Sequence, residues 1–295
     1  MIGSLLGELR PRQWTKNLLL FAGVLFSRHL ANPELLLRAA AGFVAFSLLS
    51  GSVYMLNDLK DLEADRRHPM KRRRPLAAGR LPAAAVWLAL VPLLTAVTVL
   101  SLWLGRPFTT VVGLYIAFNL AYTFWLKQVV LVDVFLIAIG FVLRAIAGVQ
   151  LLLPVAPETV ISPWLLVCTF FGALFLALAK RRREIANAGE SAASQRAVLD
   201  HYSPELLDGL LLISAATSLM AYALYTIWPA TVAKFHTEAL LYTVPFVAYG
   251  IFRYLYLVRA TEHGEDPSQV LLADAPLGAC VALYLVAVLA ILYWT

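Results

Sequence analysis

Long apolar stretches recur along most of this chain, and the charged residues collect in the segments between them. A helix needs about 20 apolar residues to cross a bilayer, and it satisfies its backbone polar groups internally. The pattern therefore predicts an all-α polytopic membrane bundle of nine transmembrane helices. The predicted spans are Asn17–Leu30, Leu36–Leu56, Pro82–Leu104, Phe108–Leu126, Val129–Leu152, Pro163–Ala179, Leu206–Trp228, Leu240–Val258 and Val270–Tyr293. The first is short, and because no small-residue cleavage site follows it we interpret it as a helix of the mature chain.

The composition agrees with a membrane protein and excludes several other classes. Of the 295 residues, 61% are hydrophobic and 14% are charged, and the mean hydropathy is +0.76. Soluble domains are about a quarter charged, so a water-soluble enzyme, a nucleic-acid-binding module and a secreted disulfide scaffold are excluded. Cys168 and Cys280 both lie within apolar spans, which is typical of small apolar side chains and predicts no disulfide framework.

The basic residues predict the orientation of the bundle. With nine spans, eighteen Lys and Arg residues fall on the side of the N-terminus, four fall on the other side, and Arg144 and Arg253 lie inside spans. Because Lys and Arg accumulate on the cytoplasmic side, we expect a cytoplasmic N-terminus. The long connections, at about residues 57–81 and 180–205, fall on that same side. Long loops in compact domains usually carry function, so we predict a single transmembrane catalytic domain over residues 1–295 with its active site facing the cytoplasm.

Four carboxylates fall in one short run, Asn57-Asp-Leu-Lys-Asp61-Leu-Glu-Ala-Asp65, at the end of the second predicted span. If that helix continues to about Arg67, then Asp58, Asp61 and Asp65 stand on one face at positions i, i+3 and i+7. Stacked carboxylates repel one another unless cations neutralise them, and Mg²⁺ prefers a few carboxylates with water and substrate phosphate. The run therefore predicts a Mg²⁺ site with Asn57 as a neutral oxygen ligand or hydrogen-bond partner, and a solvated acidic helix end is the alternative.

A dense basic run, from Arg66 to Arg74, follows the acidic motif directly. Carboxylates that hold a metal, next to a cationic loop, are typical of a site for a ligand with several phosphates. A polybasic patch that binds anionic lipid headgroups is the alternative. Near the N-terminus, Arg12 and Lys16 share a helix face after Pro11, which by itself is an ordinary juxtamembrane flank.

Three blocks of the sequence resemble a known family. The run from Asn57 to Asp65 is similar to the first aspartate-rich motif of the intramembrane UbiA prenyltransferase superfamily. Three blocks resemble a narrower group within this superfamily, the decaprenyl-phosphate phosphoribosyltransferases. These blocks are Arg10-Pro-Arg-Gln-Trp-Thr-Lys-Asn17, the segment from Asn57 to Gly79, and Phe141-Val-Leu-Arg-Ala-Ile-Ala-Gly148. The resemblance implies a UbiA-like bundle in the bacterial inner (plasma) membrane and a glycosyltransferase of the kind used in cell wall biosynthesis.

The second half of the chain departs from the wider superfamily. Ordinary members carry a second Asp-x-x-x-Asp motif there, whereas here Ile137 stands four residues after Asp133, and no other carboxylate occurs before Glu158. A site with one complete acidic motif is expected to hold fewer metal ions than a site with two. This favours a donor whose diphosphate needs one Mg²⁺ while basic residues hold its other phosphate, as phosphoribosyl pyrophosphate would require.

The resemblance thus implies transfer of 5-phosphoribose from phosphoribosyl pyrophosphate to a polyprenyl (decaprenyl-type) phosphate, with Mg²⁺ as cofactor and pyrophosphate released. Asp58, Asp61 and Asp65 are the candidate catalytic residues and, with Asn57, the candidate metal ligands. The candidate substrate-binding residues are Arg12, Lys16, Asn17, Asn57, Arg67, Lys71, Arg72, Arg74, Tyr122, Lys127, Asp133, Arg144 and Lys180. The expected partners are the two substrates and the membrane, without nucleic acid, and a homo-oligomer is left open.

Several positions allow other interpretations. An arginine about 16 Å along a helix from Asp133 is costly to expose to lipid, so Arg144 either binds a ligand or pairs with an acid inside the bundle. Tyr122 can be an interhelical hydrogen-bonding residue, and Lys180 can be a flank that follows a span. For the function, the alternatives are a UbiA-type prenyltransferase with a prenyl diphosphate donor and an aromatic or lipid acceptor, and a non-enzymatic transporter.

Overall fold

The computed structural model describes residues 2–68, 70–188, 197–260, 270 and 273–294, and every regular element in these residues is a helix. The α-helices are α1 (Ile2–Glu8), α2 (Phe21–Phe26), α3 (Pro33–Lys60), α4 (Leu62–Arg67), α5 (Ala83–Leu104), α6 (Arg106–Phe124), α7 (Val132–Gln150), α8 (Pro163–Ala188), α9 (Pro204–Ile227), α10 (Pro229–Phe235), α11 (Val244–Ala260) and α12 (Ala275–Trp294). Short 3₁₀ helices cover Pro11–Leu20, Lys71–Arg73, Leu126–Gln128, Ala197–His201 and Ala239–Thr243. The predicted all-α fold class is confirmed.

Local sequence signals determine where two of the long helices begin. The side chain of Asn32 accepts hydrogen bonds from the backbone N–H groups of Glu34 (3.0 Å) and Leu35 (3.3 Å), and Pro33 occupies the first position of α3. The hydroxyl of Ser203 caps α9 in the same way. Such caps satisfy N–H groups that have no partner within the first helical turn.

Eight helical segments of the described residues are long and apolar enough to cross a membrane: α3, α5, α6, α7, α8, α9, the segment Ala239–Arg259, and α12. They correspond to the second to ninth predicted spans. On α5, large apolar side chains such as Leu88 and Val91 are exposed, as expected where lipid rather than water covers a helix. The chain is therefore a multi-pass membrane protein.

The first predicted span, Asn17–Leu30, differs from the others. It consists of the end of a 3₁₀ helix and of α2, which stops at Phe26. A side chain on Gly23 would overlap the carbonyl group of Gly148, and a side chain on Gly148 would overlap the carbonyl group of Leu20. Two backbones therefore approach closely here, as small residues allow in membrane bundles. The count of nine spans and the cytoplasmic N-terminus remain predictions.

The internal contacts divide the chain into two compact units. The first unit comprises residues 1–127 and 143–160, and α3 lies at its centre, in contact with α5, α6 and the 3₁₀ helix Pro11–Leu20. Its buried core includes Leu20, Phe46 and Phe108. The second unit comprises residues 128–142 and 161–295, and α8 and α9 pack along each other within it. A single catalytic domain over residues 1–295 remains a prediction.

Candidate functional site

The acidic motif lies at the junction of α3 and α4. Helix α3 ends at Lys60, Asp61 stands between the two helices, and α4 continues to Arg67. Helical hydrogen bonds cross the junction, from the Asp61 N–H to the Asn57 carbonyl (2.9 Å) and from the Asp65 N–H to the Asp61 carbonyl (2.8 Å). The predicted continuation to about Arg67 is therefore present, with an interruption at Asp61.

Two of the three aspartates share an arginine. Nη1 of Arg74 donates to Oδ1 of Asp58 (2.9 Å) and to Oδ2 of Asp65, and Arg10 donates to the other oxygen of Asp58. The side chains of Asp58 and Asp65 are buried, whereas those of Arg10 and Arg74 are 24% and 28% exposed. The two carboxylates are thus neutralised by cations that solvent can reach.

Arg10 makes its contact from an unusual backbone conformation. Its φ angle is +51°, in the left-handed region, which costs a non-glycine residue about 1–2 kcal/mol. Its guanidinium also lies 4.7 Å from the ring centre of Tyr54. The sequence pattern indicated Arg12 and Lys16 in this segment but not Arg10, because the direction of the Arg10 side chain depends on the turn before Pro11.

Asp61 has a different partner from the other two aspartates. Nζ of Lys127 contacts both of its carboxylate oxygens, at 2.6 and 2.7 Å, and Asp61 is 30% exposed. Lys127 belongs to the 3₁₀ helix that precedes α7. The predicted face of three carboxylates is therefore present as two groups of ion pairs, one around Arg74 and one around Lys127.

A fourth carboxylate, which the motif did not indicate, lies beside Asp58. Glu8, the last residue of α1, is buried, and its Oε1 accepts a hydrogen bond from the Leu76 N–H (2.7 Å). Burial raises the pKa of Glu8 to about 7, and repulsion from Asp58 acts in the same direction. Burial also raises the pKa of Asp65, against the opposing charge of Arg74. We use the name acidic cluster for Asp58, Asp61 and Asp65 together with Arg10, Arg74 and Lys127, and Glu8 lies beside it.

The oxygen atoms of this region suit a divalent cation. In the described part of the chain, no three His, Cys, Asp or Glu side chains are arranged to hold a metal ion, and the aspartates contact arginine and lysine instead. The Oδ1 atom of Asn57, however, is buried and has no hydrogen-bond partner among the described residues. A buried acceptor without a partner costs about 1–3 kcal/mol. Carboxylates and an amide oxygen are ligands that Mg²⁺ prefers, so the residues fit this metal if the cations change partners.

The other predicted cationic ligands differ in exposure. Arg12, Arg67 and Arg72 are exposed, whereas Lys16, Lys71 and Lys180 are half-buried. Nζ of Lys180, in the second unit, lies 3.9 Å from a carboxylate oxygen of Glu184. The exposed arginines of the first unit therefore face solvent, as a soluble phosphate ligand would require, and their binding role remains a prediction.

Arg144 is buried in the first unit and contacts another predicted site residue. Its Nε donates to Oδ1 of Asn17 (2.8 Å), and its Nη2 donates to the hydroxyl of Tyr115 (2.7 Å). Nδ2 of Asn17 donates in turn to the hydroxyl of Ser47 (3.1 Å). Neutral side chains therefore contribute to holding this guanidinium, although the sequence suggested an acid or a ligand. Tyr122 is half-buried, and the substrate-binding role of these residues remains a prediction.

Asp133 is fully buried in the second unit and has its own partners. Nε of Arg181 donates to its Oδ2 (2.8 Å), and the hydroxyl of Tyr202 donates to its Oδ1 (2.8 Å). The same hydroxyl accepts a hydrogen bond from the Leu131 N–H (2.7 Å), and Arg181 also pairs with Glu184. Burial raises the pKa of Tyr202. Both oxygens of Asp133 are therefore engaged inside the protein, by residues that the sequence pattern did not indicate.

The three sequence blocks that carry the family resemblance contact one another in the first unit. Arg10 joins the N-terminal block to Asp58, and Asn17 joins the same block to Arg144. Gly148 lets the third block approach the backbone of Leu20, at the end of the 3₁₀ helix that contains most of the first block. The blocks are therefore parts of one packed arrangement.

Comparisons with known proteins identify relatives of this chain. Residues 18–275 match the UbiA prenyltransferase family. The chain is 36% identical over 229 residues to the decaprenyl-phosphate phosphoribosyltransferase of Mycolicibacterium smegmatis, which covers 76% of this chain and 70% of the relative. It is 35% identical over 280 residues to the protein of the same name from Corynebacterium glutamicum, covering 92% and 81%.

Solved structures show a fold similar to that of this chain. A UbiA homolog from Archaeoglobus fulgidus, bound to DMAPP and Mg²⁺, superposes with a TM-score of 0.73 at 18% sequence identity, covering 98% of this chain and 99% of the other. Structural similarity at this identity supports the fold alone, whereas the family match and the relatives support the enzyme class. This chain is a transferase and belongs to the UbiA prenyltransferase family.

Proposed function

We propose that this enzyme transfers 5-phosphoribose from phosphoribosyl pyrophosphate to a polyprenyl phosphate, with Mg²⁺ as cofactor. The observation that carries the proposal is the acidic cluster, in which aspartates suited to a metal contact cations suited to phosphates. Solvent reaches Arg10, Arg74 and Lys127, so these ion pairs can change partners. The names of the Mycolicibacterium and Corynebacterium relatives support the choice of substrates.

The donor brings phosphates on both sides of its ribose. Phosphate oxygens compete with carboxylates for arginine, which binds them bidentately. When the 5-phosphate and the 1-diphosphate arrive, Arg10, Arg74 and Lys127 turn from the aspartates to the phosphates. The exposed Arg72 lies in the same cationic loop as Arg74, which comprises residues 70–81. This exchange orients the donor and leaves the aspartates ready for a metal ion.

The oxygens of Asp58, Asp61 and Asp65, with Oδ1 of Asn57, would hold Mg²⁺. Bound there, it would neutralise charge on the departing pyrophosphate. The buried Asn57 oxygen without a partner supports this assignment. Structures of the Archaeoglobus fulgidus UbiA homolog with GPP or DMAPP also contain Mg²⁺.

The acceptor requires no strong general base. An oxygen of the lipid phosphate is already anionic, so it attacks C1 of the ribose while the C1–O bond to pyrophosphate breaks, and the electron pair leaves with pyrophosphate. Attack from the opposite face inverts C1. The polyprenyl chain stays in the bilayer, and we place the reaction on the cytoplasmic side, to which the Lys and Arg bias assigns the motif.

Asp133 favours this donor over a prenyl diphosphate. One carboxylate oxygen of Asp133 accepts a hydrogen bond from Arg181, and the other accepts one from Tyr202. Ionisation of an allylic diphosphate between two metal clusters would need a second set of available carboxylates. The engagement of Asp133 therefore supports a reaction with one metal-binding motif.

The test is an assay of the purified protein in proteoliposomes with labelled phosphoribosyl pyrophosphate, decaprenyl phosphate and Mg²⁺. We expect labelled lipid and released pyrophosphate, and no reaction after chelation of Mg²⁺. Asp61→Asn should lower turnover about 100-fold, because a charged ligand is lost. Glu63→Gln is the matched control, because Glu63 is exposed in the same run and pairs with Arg66, and it should retain turnover.

Parallel reactions with dimethylallyl or geranyl diphosphate test the alternative donor. Formation of a prenylated product without phosphoribosyl lipid would replace the proposed function with that of a prenyltransferase. Full turnover of Asp61→Asn would remove Asp61 from the metal site.

A further inference from the structure

The N-terminal helix and the cationic loop are joined by one buried side chain. Glu8 ends α1 and is 1% exposed, and its Oε1 lies 2.7 Å from the backbone nitrogen of Leu76. Leu76 follows Arg74 by two residues, and the intervening residue is Pro75. The bond therefore fixes the backbone directly after the arginine that bridges two aspartates.

Apolar contacts hold the same two segments together. Leu9, Leu76 and Leu81 belong to one buried cluster with Met55 of α3. A side chain on Gly7 would lie 3.4 Å from Cγ of Pro75, so α1 and the loop are in van der Waals contact there. The loop is thus attached to α1 by apolar packing and by the hydrogen bond that Glu8 accepts from the Leu76 N–H.

Packing alone does not explain an acid at this position. A carboxyl group that is buried beside Asp58 is costly, and a Leu or Met would fill the space between Leu9 and the loop without that cost. The hydrogen bond to Leu76 supplies a direction that apolar contact lacks. Proline cannot donate a backbone hydrogen bond, so Leu76 provides the first backbone N–H after Arg74.

We propose that Glu8 is a positioning residue, which holds the backbone of the cationic loop beside Asp58 and Asp65, so that Arg74 can reach the donor phosphates from there. The proposal rests on the proposed function, because it assigns Arg74 to the donor phosphates. Loss of the bond to Leu76 lets the loop backbone move away from Asp58 and Asp65, and the donor then binds a loop that has to be ordered again. The effect falls on the affinity for the donor more than on the chemical step.

Two conservative variants separate the length of the Glu8 side chain from its charge. Glu8→Gln keeps an oxygen at the same distance and loses the charge, whereas Glu8→Asp keeps the charge and withdraws the oxygen by one methylene. We expect Glu8→Gln to keep the KM for phosphoribosyl pyrophosphate within about threefold of the parent. Glu8→Asp should raise this KM about tenfold and change kcat less than threefold, as expected for a lost buried hydrogen bond.

A second readout needs no substrate. Trypsin cleaves after exposed basic residues, and Arg72 and Arg73 are exposed in this loop. Cleavage of the purified full-length chain after these residues, followed by mass spectrometry, should be about tenfold faster in Glu8→Asp than in the parent. Glu8→Gln should be cleaved at the parental rate.

The two readouts distinguish the two proposals. If Glu8→Asp loosens the loop but the protein consumes a prenyl diphosphate, the positioning role stands and the donor is wrong. If Glu8→Gln is as defective as Glu8→Asp in both assays, or if both variants match the parent, the positioning role is overturned. Because each variant differs from the parent by one group, both are expected to fold, and thermal unfolding checks this.

Discussion

Asp58 and Asp133 are both buried and both bonded to arginine, but their surroundings differ. The arginines that contact Asp58, Arg10 and Arg74, are partly exposed, whereas Arg181, which contacts Asp133, is 1% exposed. An exposed cation can exchange a carboxylate for a ligand at little cost, but a buried charge that loses its partner costs several kcal/mol. The comparison indicates that the Asp58 pairs can take part in binding and that the Asp133 pair supports the structure.

Backbone conformation shows the same contrast. Arg10 and Leu131 both have a positive φ, +51° and +65°, and such a residue costs about 1–2 kcal/mol. In the first unit, the strained residue itself carries the charge that contacts Asp58. In the second unit, the strained residue donates its N–H to Tyr202. The strained backbone therefore orients the solvent-accessible side chain of Arg10 in the first unit, and in the second unit it orients the Leu131 N–H toward Tyr202.

The largest effect is expected for Asp58→Asn. The substitution removes the charge that Arg10 and Arg74 share, so kcat/KM with phosphoribosyl pyrophosphate should fall about 10³-fold. The unfolding temperature should fall less than it does for Asp133→Asn, because both arginines can turn to solvent. Turnover in proteoliposomes and thermal unfolding in detergent measure the two quantities. A variant that keeps turnover but loses more stability than Asp133→Asn would reverse the comparison.

Asp133→Asn should mainly affect stability. It removes the carboxylate that faces Nε of the buried Arg181, while the contact of Arg181 with Glu184 stays, so the free energy of unfolding should fall by about 3 kcal/mol. The kcat/KM of the folded fraction should stay within about tenfold of the parent. Chemical denaturation and turnover check both values.

A double variant provides the control for Asp133. Combining Asp133→Asn with Arg181→Met removes the buried charge, so part of the lost stability should return. If Asp133→Asn instead unfolds like the parent but raises the KM for the donor, Asp133 is a substrate ligand and the comparison fails.

Periodicity and composition were sufficient for the part of the fold that the bilayer determines. Each of the second to ninth predicted spans corresponds to a long apolar helical segment of the described residues, because the bilayer requires such helices and the sequence contains them. The first span was harder to predict, since its 3₁₀ geometry accompanies a close approach between Gly23 and Gly148, which are 125 residues apart in the sequence. Such a contact between distant residues does not change the local hydropathy pattern from which spans are predicted.

The site was predictable as a motif but not as a set of partners. The aspartates and the cationic loop are adjacent in sequence, so Arg74 could be named in advance. Arg10, Glu8 and Arg181 could not, because their contacts cross 48, 68 and 48 residues. One signal for Glu8 does exist in the sequence, because it is the only acidic residue before Glu34, in a segment of apolar and basic residues.

Tyr202→Phe is expected to have an intermediate effect. The variant loses the hydrogen bond to Asp133 and leaves the Leu131 N–H without its acceptor, so the free energy of unfolding should fall by about 1–2 kcal/mol. Turnover of the folded protein should change little. Tyr242→Phe is the control, because Tyr242 is exposed, and it should match the parent in denaturation experiments.

Lys127→Gln should have the smallest effect on stability. Its partner Asp61 is 30% exposed, and ion pairs with this access to water contribute about 0.2–1 kcal/mol. Denaturation at low ionic strength should therefore show a loss of less than about 1 kcal/mol.

The effect of salt on stability distinguishes the Asp61–Lys127 ion pair from the buried Asp133–Arg181 pair. In about 0.5 M NaCl the screening length falls to about 4 Å, so the difference in stability between the parent and Lys127→Gln should largely disappear. The difference between the parent and Asp133→Asn should persist, because solvent ions do not reach Arg181. If the Lys127 difference were equally insensitive to salt, Asp61 would belong with Asp133 among the structural carboxylates. Replacing Lys127 by a metal ion at Asp61 would then cost the free energy of breaking a buried ion pair.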